Sequence, residues 1–286
     1  MKARTRDSEP DDAQGRLAVL IDADNAQPSV IESLLAEVAK YGVASVKRIY
    51  GDFTSPQLTQ WKKALLKHSV NPVQQFAYTS GKNATDSSLI IDAMDLMYTR
   101  RFDGFCLVSS DSDFTRLAQR LREEGLTVYG FGERKTPDAF VQACDKFVYT
   151  EVLRADAAAA PEAASDKAPA KPASKADVAA AARGGRKPAA AKRPAPDTTR
   201  TPRPELEPPP FELIAQAIEE ASDEHGWASL GHVGNYLNKV RPDFDPRLHG
   251  HRKLSDLFKK HTSHYVVEER AAPGASGKNY FVRLVE

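Results

Sequence analysis

Between Leu17 and Leu153 short β-like runs alternate with helix-like segments, and no other feature of the chain restricts its fold as strongly. Strands and helices that take turns along a sequence call for parallel strands joined by helical crossovers, an α/β sheet flanked by helices. The strand candidates are Leu17–Ile21, Val43–Tyr50, Val70–Phe76, Phe105–Ser109 and Thr127–Tyr129, with a weaker run at Phe147–Thr150. Between them Pro28–Tyr41, Pro56–His68, Asp86–Arg100, Asp113–Glu124 and Pro137–Ala143 read as helices. Three of these open with proline, whose missing N–H is no loss in a first turn. The runs Leu17–Ile21 (LAVLI) and Phe105–Val108 (FCLV) are apolar throughout, as strands buried on both faces should be.

A chain of 286 residues exceeds one average domain, and its middle third shows where it divides. From about Ala155 to Pro210 the sequence is dominated by Ala, Pro, Lys and Ser, with too few branched or aromatic residues to bury a core, and it reads as a disordered tether. Within it, residues 183–203 hold Arg183, Arg186, Lys187, Lys192, Arg193, Arg200 and Arg203 against the single acid Asp197, an excess hidden by the overall balance of 40 basic and 39 acidic residues. That stretch is either a solvated linker or a non-specific holder of phosphate backbone. After Phe211 periodicity returns: Leu213, Ile214, Ala217 and Ile218 suit one helix, and further helices are expected at Leu230–Val240 and His251–Lys260. Tyr265–Glu269 and Tyr280–Val285 around a Gly-containing turn suggest a hairpin, so this part reads as a small winged-helix-like α+β domain. Trp227, Leu230, Val233, Tyr236, Leu237, Leu254, Leu257 and Phe258 are its expected core.

Cys106 and Cys144 are the only cysteines, too few for a disulfide framework or a thiolate metal site, and a reducing, cytoplasmic setting is expected. No apolar stretch approaches a membrane span, and the polar start MKARTRDSEPDD lacks the apolar core of a secretory signal.

Chemistry concentrates in four aspartates. Asp22 follows the first strand in the turn Asp22-Ala23-Asp24-Asn25, and Asp111 and Asp113 follow the fourth in SSDSDF, while Asp86 opens a helix after GKNAT. In an open α/β sheet ligands bind beyond the carboxyl ends of the strands, so these acids are expected to meet in one cleft. Asp-rich and His-poor clefts suit hard cations such as Mg²⁺ or Mn²⁺ better than zinc, and hydrolytic phosphoryl chemistry follows. The plainer alternative is that these residues cap helices and fill turns, with Asp113 before Phe114 as an N-cap. Asp92, on the helix that Asp86 begins, is a candidate supporting group behind the cleft, whereas Asp95 reads as helix surface. Ser109 and Ser110 either contact phosphate or satisfy the turn backbone.

The segments LAVLIDADN, GKNATDSSLIIDAMDLM and FDGFCLVSSDSDFTRLAQRLREEGLTVYGFG resemble the NYN domain, a PIN-like family of metal-dependent ribonucleases that includes the bacterial LabA-like proteins. The resemblance covers residues 16–153 and implies a PIN-like parallel sheet with first and fourth strands adjacent. It further implies catalytic and metal-binding roles for Asp22, Asp86, Asp111 and Asp113, with Asn25 as an additional ligand, and a phosphate-holding role for Lys82. A strand followed by Asp22-Ala23-Asp24 also resembles haloacid-dehalogenase-like phosphatases, with Asp22 as nucleophile, but no matching lysine motif or cap accompanies it.

Past a linker at 154–208, residues 209–286 resemble the OST-HTH/LOTUS domain through GWASLGHVGNYL, PDFDPRLHG and KLSDLF. That resemblance implies a winged-helix-like module that binds RNA or docks a protein partner. Arg252, Lys253, Lys259 and Lys260, with His249 and His251 nearby, are the candidate accessory RNA contacts. The histidines lack metal-site spacing. Together the two parts describe a Mg²⁺- or Mn²⁺-dependent ribonuclease whose tethered module concentrates RNA. A non-catalytic RNA-binding adaptor is the alternative from another functional class.

Overall fold

The computed structural model describes residues 14–76, 84–159, 207–271 and 278–285. Six strands, β1 (Arg16–Asp22), β2 (Val43–Gly51), β3 (Asn71–Gln74), β4 (Gly104–Val108), β5 (Thr127–Gly132) and β6 (Lys146–Tyr149), form one parallel sheet in the order β3-β2-β1-β4-β5-β6. Helices α1 (Ile31–Val38), α2 (Trp61–His68), α3 (Ala84–Tyr98), α4 (Thr115–Glu123), α5 (Asp138–Ala143) and α6 (Thr150–Ala159) make the connections and cover the sheet. The expected parallel α/β sheet flanked by helices is therefore present.

The two-residue period of a strand sends neighbouring side chains to opposite faces, and in β1 and β4 both sets are apolar. Ala18, Leu20, Phe105 and Leu107 pack with α3, α4 and α5, whereas Leu17, Val19, Ile21, Cys106 and Val108 pack with the α1 and α2 side. Two core layers thus sandwich the central strands. Both thiols are buried and free, and burial pushes them up from their ordinary range.

Several element ends differ from expectation by a few residues, two of them with consequences. Strand β5 continues past Tyr129 to Gly132, and Thr150 begins α6 rather than ending β6, so the expected domain end at Leu153 falls inside a helix. Alanine, read as linker composition from 155 onward, is also the best helix former, and it extends α6 to Ala159.

The C-terminal residues form a small α+β domain: α7 (Phe211–Ala221), β7 (Ala228–Ser229), α8 (Leu230–Val240), α9 (Leu254–Lys260), β8 (Tyr265–Ala271) and β9 (Lys278–Leu284). Its three strands pair antiparallel in the order β7-β9-β8 over a core of Ile214, Ile218, Val233, Leu237, Leu257 and Phe258. Trp227 departs from its expected core role. It sits half-buried against the guanidinium carbons of Arg270 and Arg283, 4.9 and 5.3 Å from its ring centre. The described parts of 1–159 and 206–286 cluster as one compact unit.

Gly130 in β5 tests how tightly this sheet is packed. A β-carbon there would lie 2.4 Å from a ring carbon of Phe147 and 2.7 Å from the Cys144 sulfur, both rigidly buried. Gly130→Ala should destabilise the fold by roughly 1–3 kcal/mol, the usual range for overpacking. Chemical denaturation of wild type and variant checks this, and an unchanged midpoint would mean the layer is looser than described.

Candidate active site

The parallel pairing of β1 with β4 aligns Ile21 with Val108, so the turns that follow them start level with each other. Asp22 is 1% exposed, and burial of a carboxylate requires compensation by hydrogen bonds. Three are present. Its Oδ1 accepts from the Asp24 N–H at 3.0 Å, and its Oδ2 accepts from Asn25 Nδ2 at 2.7 Å and the Ser109 hydroxyl at 2.8 Å.

Ser109 then carries the link into the second turn, where its hydroxyl oxygen accepts the Asp111 N–H at 3.1 Å. Asp111, in extended conformation, caps the single helical turn Ser112–Phe114 by accepting the Asp113 N–H at 2.9 Å. The N-cap is thus Asp111, not Asp113 as the plainer reading supposed, and Asp113 lies exposed within the turn. Phe114 is buried beneath it and anchors the turn to the core.

Asp86 arrives from the first turn of α3. Ligand oxygens of Asp86, Asp111 and Asp113 all lie within 4.8 Å of one another. Burial together with the negative charges of Asp22, Asp111, Asp113 and Asp24 pushes the Asp86 carboxyl up to about 6. Among the described residues, none of the ion pairs found involves Asp22, Asp86 or Asp111. Carboxylates crowded in this way, with oxygen-only donors, match the requirements of a hard divalent ion.

Several sequence candidates take other places. Asp22 is near enough for its charge to be felt at Asp86, and its hydrogen bonds join both turns. Its near-complete burial, with both oxygens engaged, does not suit the nucleophile of a phosphatase reading. Asp92 is bound by Arg48 and the Tyr50 hydroxyl on β2, so it buttresses α3 against the sheet away from the three acids. The Ser110 hydroxyl oxygen accepts the Glu133 N–H at 2.8 Å and so serves the turn backbone. Lys82 lies outside the described residues. Arg252, Lys253, Lys259 and Lys260 are exposed, with Lys259 over the Tyr280 ring at 4.3 Å.

Sequence reasoning missed Asp52. It follows β2, the neighbour of β1, and with burial and Asp22 it contributes to raising Asp24 above the ordinary carboxylate range. The strand-exit argument that singled out Asp22 applies equally there. Gly132, at the end of β5, was missed as well: a β-carbon there would lie 2.6 Å from the Ser109 carbonyl oxygen, so glycine lets the Asp111 turn sit against β5.

The sequence matches the NYN domain over residues 16–153 and the OST-HTH/LOTUS domain over residues 209–274. The NYN family is that of PIN-like nucleases. Among solved structures, an uncharacterised protein of Nitrosomonas europaea is 42% identical over 33% of this chain and 90% of its own, with a TM-score of 0.28. A protein of unknown function from Vibrio parahaemolyticus is 19% identical over 49% of this chain and 96% of its own, with a TM-score of 0.42. Part of a Chromobacterium violaceum protein is 36% identical over 28% of this chain and 84% of its own, with a TM-score of 0.23. No curated protein sequence matches the chain.

The raised Asp86 carboxyl has a consequence for stability. Its proton is held more tightly in the folded chain, at about 6, than at the ordinary 3.8 of the unfolded one. The native state therefore binds more protons across that window, and stability falls as pH rises through it, with the full loss present above about pH 6. Asp86→Asn removes the crowded charge. In metal-free protein near pH 7.5 it should raise Tm by ~2–4 °C, the equivalent of roughly 1 kcal/mol after solvent screening, with the gain vanishing by about pH 4. Thermal scans at both pH values check this; a lower Tm at the higher pH would contradict the crowding.

Proposed function

This chain carries an NYN domain followed by an OST-HTH/LOTUS domain, and from that premise we propose that it is a ribonuclease dependent on Mg²⁺ or Mn²⁺, cutting RNA internally. The observation that carries the proposal is the convergence of Asp86, Asp111 and Asp113 at the strand exits, beside buried Asp22.

In this reading Asp86, Asp111 and Asp113 hold the ion. Asn25 directs its amide nitrogen to Asp22, which leaves its carbonyl oxygen as a further donor. A bound divalent ion supplies a water of lowered pKa and offsets charge on the phosphodiester oxygens. The remaining work falls to the chain. Asp22 fixes the geometry of both turns through Asn25, the Asp24 amide and Ser109, so that the turn carrying Asp111 and Asp113 keeps its place beside Asp22. Ser109 is thereby a positioning residue, because its hydroxyl both donates to Asp22 and accepts from Asp111. Lys82 is proposed to hold phosphate next to the scissile bond, as a compact cation can.

The C-terminal domain is proposed to recruit RNA or a protein partner. Exposed Arg252, Lys253, Lys259 and Lys260 supply phosphate contacts. Two buried free thiols accord with a reducing, cytoplasmic setting. Among the described residues no helix is long and apolar enough to cross a membrane.

Asp22→Asn, Asp86→Asn and Asp111→Asn should each reduce Mn²⁺-dependent cleavage of single-stranded RNA by about a hundredfold or more, with secondary structure retained. Labelled RNA and DNA incubated with Mn²⁺ or with chelator, followed by mapping of product ends, provide the measurement. Cleavage that survives all three substitutions, or that ignores chelation, would refute the metal site. Metal-independent RNA binding with intact RNA would identify an adaptor.

A further inference from the structure

Strand β6 is the last in the sheet and pairs with β5 on one side only. On its other side the Phe147 N–H donates to the Pro242 carbonyl of the C-terminal domain at 2.9 Å. Two side chains of the strand reach the same segment. Lys146 Nζ donates to Asn238 Oδ1 at 3.1 Å, and the Tyr149 hydroxyl donates to Asp243 Oδ2 at 3.2 Å.

The strongest contact lies beside this edge. Arg247 forks over Glu37 of α1, with Nη1 and Nη2 donating to its two oxygens at 3.0 and 3.2 Å, while Nε and Nη2 grip Asp245 at 3.0 and 2.6 Å. Glu37 is 5% exposed and Asp245 7%, so the guanidinium is clasped between two buried carboxylates. The planar fork of arginine meets carboxylate in this way with strength and with orientation. Glu37 is further tied by the Lys40 ammonium at 2.7 Å and the Tyr41 hydroxyl at 3.0 Å, so the acceptor is held in place before Arg247 arrives.

We propose that the C-terminal domain docks in cis on the outer edge of β6, with Arg247 seated on Glu37, and that the segment Arg241–Arg247 serves this seam rather than RNA. The partner for this surface is the chain's own C-terminal domain. Docking satisfies a backbone donor that an exposed edge strand would otherwise offer to another chain. It also decides which faces of the C-terminal domain remain for ligands: Arg252, Lys253, Lys259 and Lys260 stay exposed, while Arg247 and Asp245 are enclosed. The module is thus oriented on the nuclease-like domain instead of being merely tethered to it. This inference stands whether or not the acidic cleft cuts RNA.

Hydrogen exchange on the full-length chain tests it, comparing wild type with Arg247→Met and Glu37→Ala. Arg247→Met takes the guanidinium away from both Glu37 and Asp245, and Glu37→Ala removes the carboxylate across the seam while Arg247 keeps Asp245, so exchange in the peptide covering Lys146–Tyr149 should quicken by roughly tenfold or more. Peptides from β1 and α7 should keep their protection. If Arg247→Met also exposes α7, the C-terminal domain has been damaged, and Glu37→Ala, which lies across the seam, decides alone. Unchanged β6 protection in Glu37→Ala overturns the proposal. Protection that scales with protein concentration, with a dimer in sedimentation, overturns the cis assignment and puts a second copy on the edge.

Discussion

The parallel pairing of β1 with β4 is the constraint from which the site follows, because it joins two segments separated by most of the first domain. With Ile21 opposite Val108, Asp22 and Ser109 emerge side by side, and one hydroxyl completes a chain of contacts from Asn25 through Asp22 to the Asp111 turn. The strands that enforce this register are apolar on both faces, so a slip would cost burial of several large side chains at once. Hydrophobic packing therefore fixes a polar geometry that the polar groups alone would not choose.

That geometry works against electrostatics. Carboxylates brought this close repel, and in a partly buried setting water screens them poorly. Burial first, and this repulsion second, push the Asp86 carboxyl up to about 6 and raise Asp24 as well. A proton and a hard cation are alternative remedies for the same crowding. The fold holds the acids together, and in the proposed function a hard cation takes the place of that proton.

Much of this was legible in the sequence because fully buried parallel strands leave an unmistakable trace. LAVLI and FCLV carry no polar interruptions, and acids placed directly after them have nowhere to go except the strand-exit cleft. Other parts were hidden for physical reasons. The expected strand stops at Tyr129, yet Gly130 and Gly132 are strand residues that yield space to Phe147 and to the Ser109 carbonyl. Ala-rich sequence is compatible with either a linker or a helix, and only packing after β6 selects α6. Trp227 reads as core by hydrophobicity, whereas two arginines on the hairpin hold it at the surface. Glu37 and Arg247, separated by 210 positions, follow no spacing rule; their pairing exists only in three dimensions.

The two edges of the sheet are managed by different means, and the difference bears on function. At one end β3 is only four residues long and contains Pro72, which has no N–H to offer, so this edge protects itself through sequence. At the other end β6 has no proline, and its Phe147 N–H is taken by the C-terminal domain. The asymmetry explains why the second domain meets the sheet where it does: β6 is the edge with an unused donor, and α1 places a buried carboxylate beside it. Glu133, which follows β5, donates its N–H to the Ser110 hydroxyl, so the Asp111 turn rests on the strand that β6 borders. A ligand carried by the C-terminal domain would therefore meet a surface whose orientation relative to the acids is set by the sheet itself.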